Sequence, residues 1–179
     1  MDDADRLIEL AQAGDRQALE RLLARHEPDV RRFAQRMCGT SDDAEEAAQE
    51  ALVVAFRRIG AFRRAARFTT WLFTIVRREC ARRWRRVSRH RPLPDALAAA
   101  DADGSGADRE QVVAAVADAL AALGPDDRAL LVLRDIDGRS GDEVAACLGI
   151  SLAAQKSRLH RARLAVREHV SRRLAGDEV

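Results

Sequence analysis

A chain of 179 residues is long enough for one ordinary domain or two small helical ones, and its composition favours the second: aromatic residues make up 4 %, tyrosine is absent, and Ala, Leu and Arg outweigh the β-branched residues a sheet would need. No apolar run approaches the roughly 20 residues of a membrane span, the acidic start MDDADRL is unlike a signal peptide, and Cys38, Cys80 and Cys147 are too scattered for a metal site or a disulfide framework. The net charge of only +2 hides a strong segregation, since residues 63–91 carry eleven arginines against Glu79 alone, so the expectation is an all-α, cytoplasmic protein without metal or cofactor that meets a polyanion.

In chain order, Asp5 to Gly14 patterns as a short amphipathic helix that Gly14 stops, and Asp15 opens a second one carrying Leu19, Leu22 and Leu23. Pro28 is expected to break or kink that second pattern before Val30, Phe33 and Met37 resume it and Gly39 ends it. Ser41 or Asp42 opens the clearest helix of this half, with Ala44, Ala47, Ala48, Ala51, Leu52, Ala55, Phe56 and Ile59 on one face. The other face holds Asp43, Glu46, Gln49, Glu50, Val53, Val54 and Arg57. Acidic residues beside adjacent valines there point to a protein partner, with a slightly apolar but unused surface as the alternative.

After a loop from Gly60 to Arg67, Thr69 can cap the helix TTWLFTIVRRECARRWRRV. Leu72, Ile75, Val76 and Cys80 face inward in this pattern, and Arg78, Arg82, Arg85 and Arg89 form one stripe at helical spacing, interleaved with Trp71, Phe73 and Trp84. Arginine beside aromatic rings suits unpaired bases, which stack on rings while guanidiniums hold the backbone; Trp71 and Phe68 also read as core. The stretch PLPDALAAADADGSGAD, Pro92 to Asp108, has no large residue after Leu97 and reads as a flexible acidic linker, disordered in the free protein. Two helical domains result, 1–91 and 109–175.

Ser140 to Arg163 is the most specific segment. Small Ala145 beside Val144 lets a second helix cross closely, Gly149 supplies a turn residue that tolerates positive φ, Ile150 plugs the corner, and Ser151 caps a helix starting at Leu152. That is a helix-turn-helix with a basic second helix, whose apolar side is Leu152, Leu159, Ala162 and Val166. An ordinary helical hairpin with a solvated basic face would not combine this turn chemistry, small-residue placement and charge density. His26, His90, His160 and His169 form no constellation with acids or cysteines, so catalysis is not expected.

The segments DDAEEAAQEALVVAFRRIGAF, FTTWLFTIVRRECARRWRR and LGPDDRALLVLRDIDGRSGDEVAACLGISLAAQKSRLHRAR, in this order, closely resemble the extracytoplasmic-function group of bacterial sigma-70 factors. The resemblance implies RNA polymerase core as partner, through the β′ clamp helices and the β flap, together with promoter DNA; the want of an appended sensor domain leaves room for a cognate anti-sigma factor. It places Asp43, Glu46, Gln49 and Glu50, with neighbouring Val53, on polymerase. Minus-10 DNA and its melting fall to Phe62, Arg63, Phe68, Arg78, Arg82, Trp84, Arg85 and Arg86, and minus-35 DNA to Lys156, Ser157, Arg158, His160 and Arg161. By the same resemblance 1–91 corresponds to region 2 and 109–175 to region 4.

Two departures stand out. Arg78 occupies a position where many relatives have Asn near a flipped base, and Ala153, Ala154 and Gln155 replace a usual Gly-Thr-Val, so Gln155 falls where an inward apolar residue is normal and must find a hydrogen-bond partner or tilt the helix. The rival reading is a helix-turn-helix regulator that is not a polymerase subunit; it leaves the acidic helix and arginine stripe of the first half without a shared purpose.

Overall fold

The computed structural model describes residues 3–63, 67–87 and 106–175, with the side chains of 86, 87 and 106–108 excepted. Eight α-helices are described: α1 (Asp3–Gln12), α2 (Arg16–Met37), α3 (Ser41–Arg58), α4 (Phe68–Val87), α5 (Gly106–Ala122), α6 (Pro125–Leu131), α7 (Gly141–Leu148) and α8 (Leu152–Leu174). A 3₁₀ turn, Ile59–Ala61, follows α3, and a π-helical turn, Val132–Ile136, follows α6. The Arg89 end of the stripe and most of the expected linker lie outside the described residues; α5 begins at Gly106, inside the span read as linker. Among the described residues no helix is long and apolar enough to cross a membrane.

The N-terminal half is organised around α2, whose Leu22, Val30, Phe33 and Ala34 are fully buried. The Asp15 side chain accepts the Ala18 N–H and fixes its start. Pro28 neither breaks nor ends this helix, which runs on to Met37. Pro28 is on the exposed side, while Leu22, Leu23, Val30 and Phe33 on either side of it enter one core, and that packing outweighs the local loss of a hydrogen bond. Thr40 caps α3 by accepting the Asp43 N–H. Ala44, Ala47, Ala48, Ala51 and Ala55 then line its buried face, so α2 and α4 approach closely. Phe56, expected inside, is 39 % exposed: a side chain as large as Phe at the margin of an alanine stripe has no room between closely packed helices. At α4 the helix starts at Phe68, which leaves Thr69 inside the first turn and not at the cap.

Aromatic rings fill the junction around the start of α4. Phe62, Phe68 and Trp71 contact one another at centroid separations of 5.2–5.5 Å, His26 lies 5.2 Å from Phe68, and Phe73 lies 4.6 Å from Phe33. Burial is the main influence on His26; it lowers the imidazole below its usual 6.5, helped by Arg25 and Arg139 and opposed by Asp29. A histidine depressed in the folded state gives stability that is lost as pH falls below about 6.5, because the unfolded chain takes up the proton more readily. Urea midpoints should therefore drop between pH 7 and 5.5, and His26→Leu should flatten that slope; an unchanged slope would assign it to other groups.

In the C-terminal half α5 and α6 pack on α8, and α7 packs across α8 and α4. The π-helical turn changes the rotation of the chain between neighbouring acids. It sends Asp135 to Arg163 on α8, at 2.6 Å, and Asp137 to Arg36 on α2. The two halves share one apolar core, in which Phe33 and Phe73 sit with Leu130, Leu133, Val144 and Cys147. The three cysteines are buried and free. The hydrogen bond that the Cys80 thiol donates to neighbouring Cys38, together with burial, holds Cys80 well above the usual thiol range, and burial likewise raises Cys147, which makes them inert packing groups.

Candidate nucleic-acid interface

The helix-turn-helix is built by local chemistry. Ser140 accepts the Glu143 N–H while the Glu143 carboxylate accepts the Ser140 N–H, a complete capping box at the start of α7. Burial opposes and these hydrogen bonds, with Arg67 and Arg139 nearby, prevail in holding the Glu143 carboxyl below its usual range. Gly149 ends α7 at φ 68°, ψ 36°, the left-handed region that a side chain would strain. Ser151 then accepts the Ala154 N–H and starts α8. Val144, Ala145 and Cys147 bury α7 against Leu159 and Ala162 of α8, with Val166 partly buried. Ile150 is half-buried at the corner.

Leu152 departs from the expected apolar face: it is 38 % exposed at the first position of α8, where it rests on Gly141, whose added Cβ would come within 2.9 Å of Leu152 Cδ1. Gln155 takes the inward place instead. It is 2 % exposed, and its Nε2 has no acceptor among the described residues. A buried amide without a partner costs about 1–3 kcal/mol, and Leu has a similar volume. Gln155→Leu should raise the melting temperature by roughly 2–12 °C for a chain of this size, measured by calorimetry; a lower melting temperature would mean that the amide is hydrogen-bonded through water.

The outward side of α8 presents Lys156, Ser157, His160 and Arg161, all exposed and without ion pairs among the described residues. Arg158, expected on the same surface, is turned to α6, where its Nε and Nη2 reach one Asp127 carboxylate oxygen at 3.0 and 2.9 Å. Its position on α8 is one step around from the free cations, next to the face that packs on α6. Arg163 is likewise held by Asp135, which raises its already high basicity.

On α4, Arg78, Arg82 and Arg85 are exposed, as is Arg63 before the helix. Arg82 reaches Glu79 at 2.6 Å and Arg85 donates to the Ala81 carbonyl. The side chain of Arg86 lies outside the described residues. The aromatics expected beside this charge are largely withdrawn. Phe62, Phe68 and Phe73 are buried, Trp71 packs against the core, and Trp84 is half-buried with its indole N–H turned inward. Phe62, Phe68, Trp71 and Phe73 pack because each finds another ring within the half, an outcome that spacing between arginines does not reveal.

The outward face of α3 carries Glu46, Gln49 and Val53 exposed, with Asp43 and Glu50 partly so, and gains Phe56. Sequence reasoning missed Phe56; the excess of alanine on the buried side was the available signal. Two of the acids are not free. Asp43 accepts the Thr40 hydroxyl at the cap, and Glu46 lies 3.6 Å from Arg83, whose side chain is nearly buried beside Glu79.

The family models for Sigma-70 region 2 and Sigma-70, region 4 match residues 22–90 and 114–166. The ECF RNA polymerase sigma factor SigM of Mycobacterium tuberculosis is 37 % identical over 153 residues, covering 84 % of this chain and 76 % of SigM. The chain belongs to the extracytoplasmic-function sigma-70 family of RNA polymerase sigma factors. Solved sigma factors agree. CnrH, in complex with the cytosolic domain of CnrY, superposes with a TM-score of 0.68 at 29 % identity and covers 98 % of this chain and all of CnrH. RpoE of Bartonella quintana, in complex with the anti-sigma factor NepR, gives 0.64 at 27 % identity over 85 % of this chain and 96 % of RpoE. The region 2 match contains α3 and α4 with their acidic and arginine-rich faces, and the region 4 match contains α7 and the first fifteen residues of α8, to Val166.

Proposed function

We propose that this sigma factor divides its work among three separate surfaces: the α3 face of Glu46, Gln49, Glu50, Val53 and Phe56 for RNA polymerase core, the Arg63, Arg78, Arg82 and Arg85 surface for the minus-10 element, and the Lys156, Ser157, His160 and Arg161 face for the minus-35 duplex. The observation that carries this reading is charge separation on exposed faces: acids beside apolar groups on α3, unpaired cations on α8. An acidic face with Val53 and Phe56 suits the basic β′ clamp helices, and the exposed cations of α8 suit phosphates and base edges of a major groove. In this reading 1–91 is region 2, 106–175 is region 4 and also meets the β flap, and the linker read at 92–108 is shortened to 92–105 by the start of α5. Phe62 and Phe68 support the minus-10 loop from within, and Arg158 braces α8. The protein acts in the cytoplasm, performs no catalysis of its own, and has a cognate anti-sigma factor, a reading favoured by the likeness to RpoE in complex with NepR. Purified protein added to core polymerase on a genomic-fragment template should direct initiation at a defined set of start sites; core that initiates no differently with and without the protein would remove the reading.

A further inference from the structure

Of the 31 basic Lys and Arg side chains in the sequence, Lys156 is the only lysine. It carries the one side-chain amine of this chain, and that amine stands in the second turn of α8, on its outward face and exposed to solvent. The two kinds of cation differ in chemistry. A guanidinium offers a planar fork that meets a phosphate through two hydrogen bonds and keeps its charge at any working pH, whereas an ammonium is a point charge that can lose a proton and become a nucleophile. Lysine at this single place gives up the better fork and gains a reactivity that no arginine has.

The surroundings leave the amine available. An acid three or four residues away on the helix would pair with it, but those places hold Leu152, Ala153, Leu159 and His160. Glu168 is the only acid in α8, about 18 Å further along the axis at 1.5 Å per residue. The acids that α6 and the π-helical turn direct at this helix are taken, Asp127 by Arg158 at 2.9 Å and Asp135 by Arg163 at 2.6 Å. Lys156 is accordingly without an ion pair among the described residues. His160, one turn on and also exposed, is its neighbour on the same face. An imidazole beside an ammonium is a base placed to take its proton.

We propose that Lys156, with His160 as its base, is an acylation site for activated acyl donors, acyl phosphates or acyl thioesters, and that acylation weakens the hold of α8 on the minus-35 duplex. The consequence rests on the assignment of this face to DNA; the reaction does not. The ammonium gives one proton to the imidazole. Nζ then bonds to the acyl carbonyl carbon, the bond from that carbon to the phosphate oxygen or the thioester sulfur breaks with its electron pair on the leaving group, and the second nitrogen proton passes to that leaving group. The product is a neutral amide with one N–H and no charge, so a charge-assisted contact with the duplex is lost. The arginines of α8 do not react with such donors, so binding is weakened and not abolished.

The full chain is treated with acetyl phosphate in one arm and acetyl-coenzyme A in the other, freed of donor, and only then mixed with polymerase core, so that no lysine of core is modified. Peptide mass spectrometry should locate the acetylated side chain at Lys156, and His160→Ala should slow the labelling; the arm or arms that label identify the donor. Acetylated protein assembled with core should bind its promoters at least about 5-fold more weakly than untreated protein. Lys156→Gln should match the acetylated wild type without treatment, and Lys156→Arg should show the same promoter affinity before and after it. No labelling of Lys156 in either arm, or labelling at an equal rate in His160→Ala, would overturn the site. Labelling with unchanged promoter affinity would overturn its regulatory role. Untreated protein that gives core no promoter affinity at all would instead overturn the sigma reading, while the mass spectrum, which involves neither polymerase nor DNA, would still decide the chemistry.

Discussion

Glu50→Lys with Val53→Glu should leave the free protein folded and melting within about 4 °C of wild type, yet weaken its binding to RNA polymerase core at least about 30-fold and remove its support of promoter-specific transcription. Both positions are on the outward face of α3, opposite the alanines that bury the helix, and exposed helix substitutions away from a cap or a packed contact usually stay within about 0.5 kcal/mol. Glu46 has a structural partner. It approaches the nearly buried Arg83 at 3.6 Å, so a lysine there would add a cation to a site that, among the described residues, has Glu79 alone in compensation, and loss of binding could then follow from loss of structure. On core, an acidic side chain paired with a basic helix and desolvated between the proteins is worth about 2–5 kcal/mol when its partner is left unpaired. That corresponds to a loss of roughly 30-fold to several-thousand-fold, with the valine change adding removal of apolar contact. Fluorescence anisotropy of labelled protein with core measures the loss, and circular dichroism measures the melting. Normal core affinity in this variant would move the polymerase surface elsewhere on the first half.

The parts of the fold that were legible in the sequence are those determined within a few residues. Asp15, Ser140 and Ser151 announce helix starts because a short oxygen-bearing side chain can reach an orphan N–H three residues ahead, and Gly149 announces a stop because it alone takes φ 68° without strain. The helix-turn-helix and the separation of α8 into an apolar and a cationic face follow from such local rules. What the sequence hid depends on residues far apart. Phe62, Phe68 and Phe73 alternate with arginines along the chain, and only the docking of α2 against α4 decides that they meet His26, Phe33 and one another. Pro28 carries a strong local signal that tertiary packing overrides. Arg128 carries no local signal, because its buried role requires carbonyls 8 and 91 residues away. Gln155 is the opposite case: its mismatch with an inward position was visible in the sequence, and the structure leaves its amide unpaired.

The α8 surface gives the second large effect, because two neighbouring arginines should fail in different ways. Arg161 is exposed and unpaired on the outward face, so Arg161→Ala should cost about 1–3 kcal/mol of promoter binding if the side chain reads a base edge, with the loss greatest on the preferred minus-35 sequence. If it meets a phosphate, the loss should be uniform across sequences and the salt dependence shallower by about one ion. Lys156→Ala should behave as one of these two. Arg158, in contrast, is held by Asp127 at 2.9 Å, and a partly exposed pair of this kind contributes about 0.2–1 kcal/mol of stability. Arg158→Ala should therefore lower stability slightly and weaken promoter binding only through a less firmly placed helix. Asp127→Ala removes the same brace without removing a cation, so the two variants should bind promoter DNA with similar affinity and nearly parallel salt dependence. If Arg158→Ala instead lost a full ion of salt dependence while Asp127→Ala bound normally, Arg158 would leave Asp127 for the DNA, and the surface of α8 would extend one step further round the helix than the free protein presents.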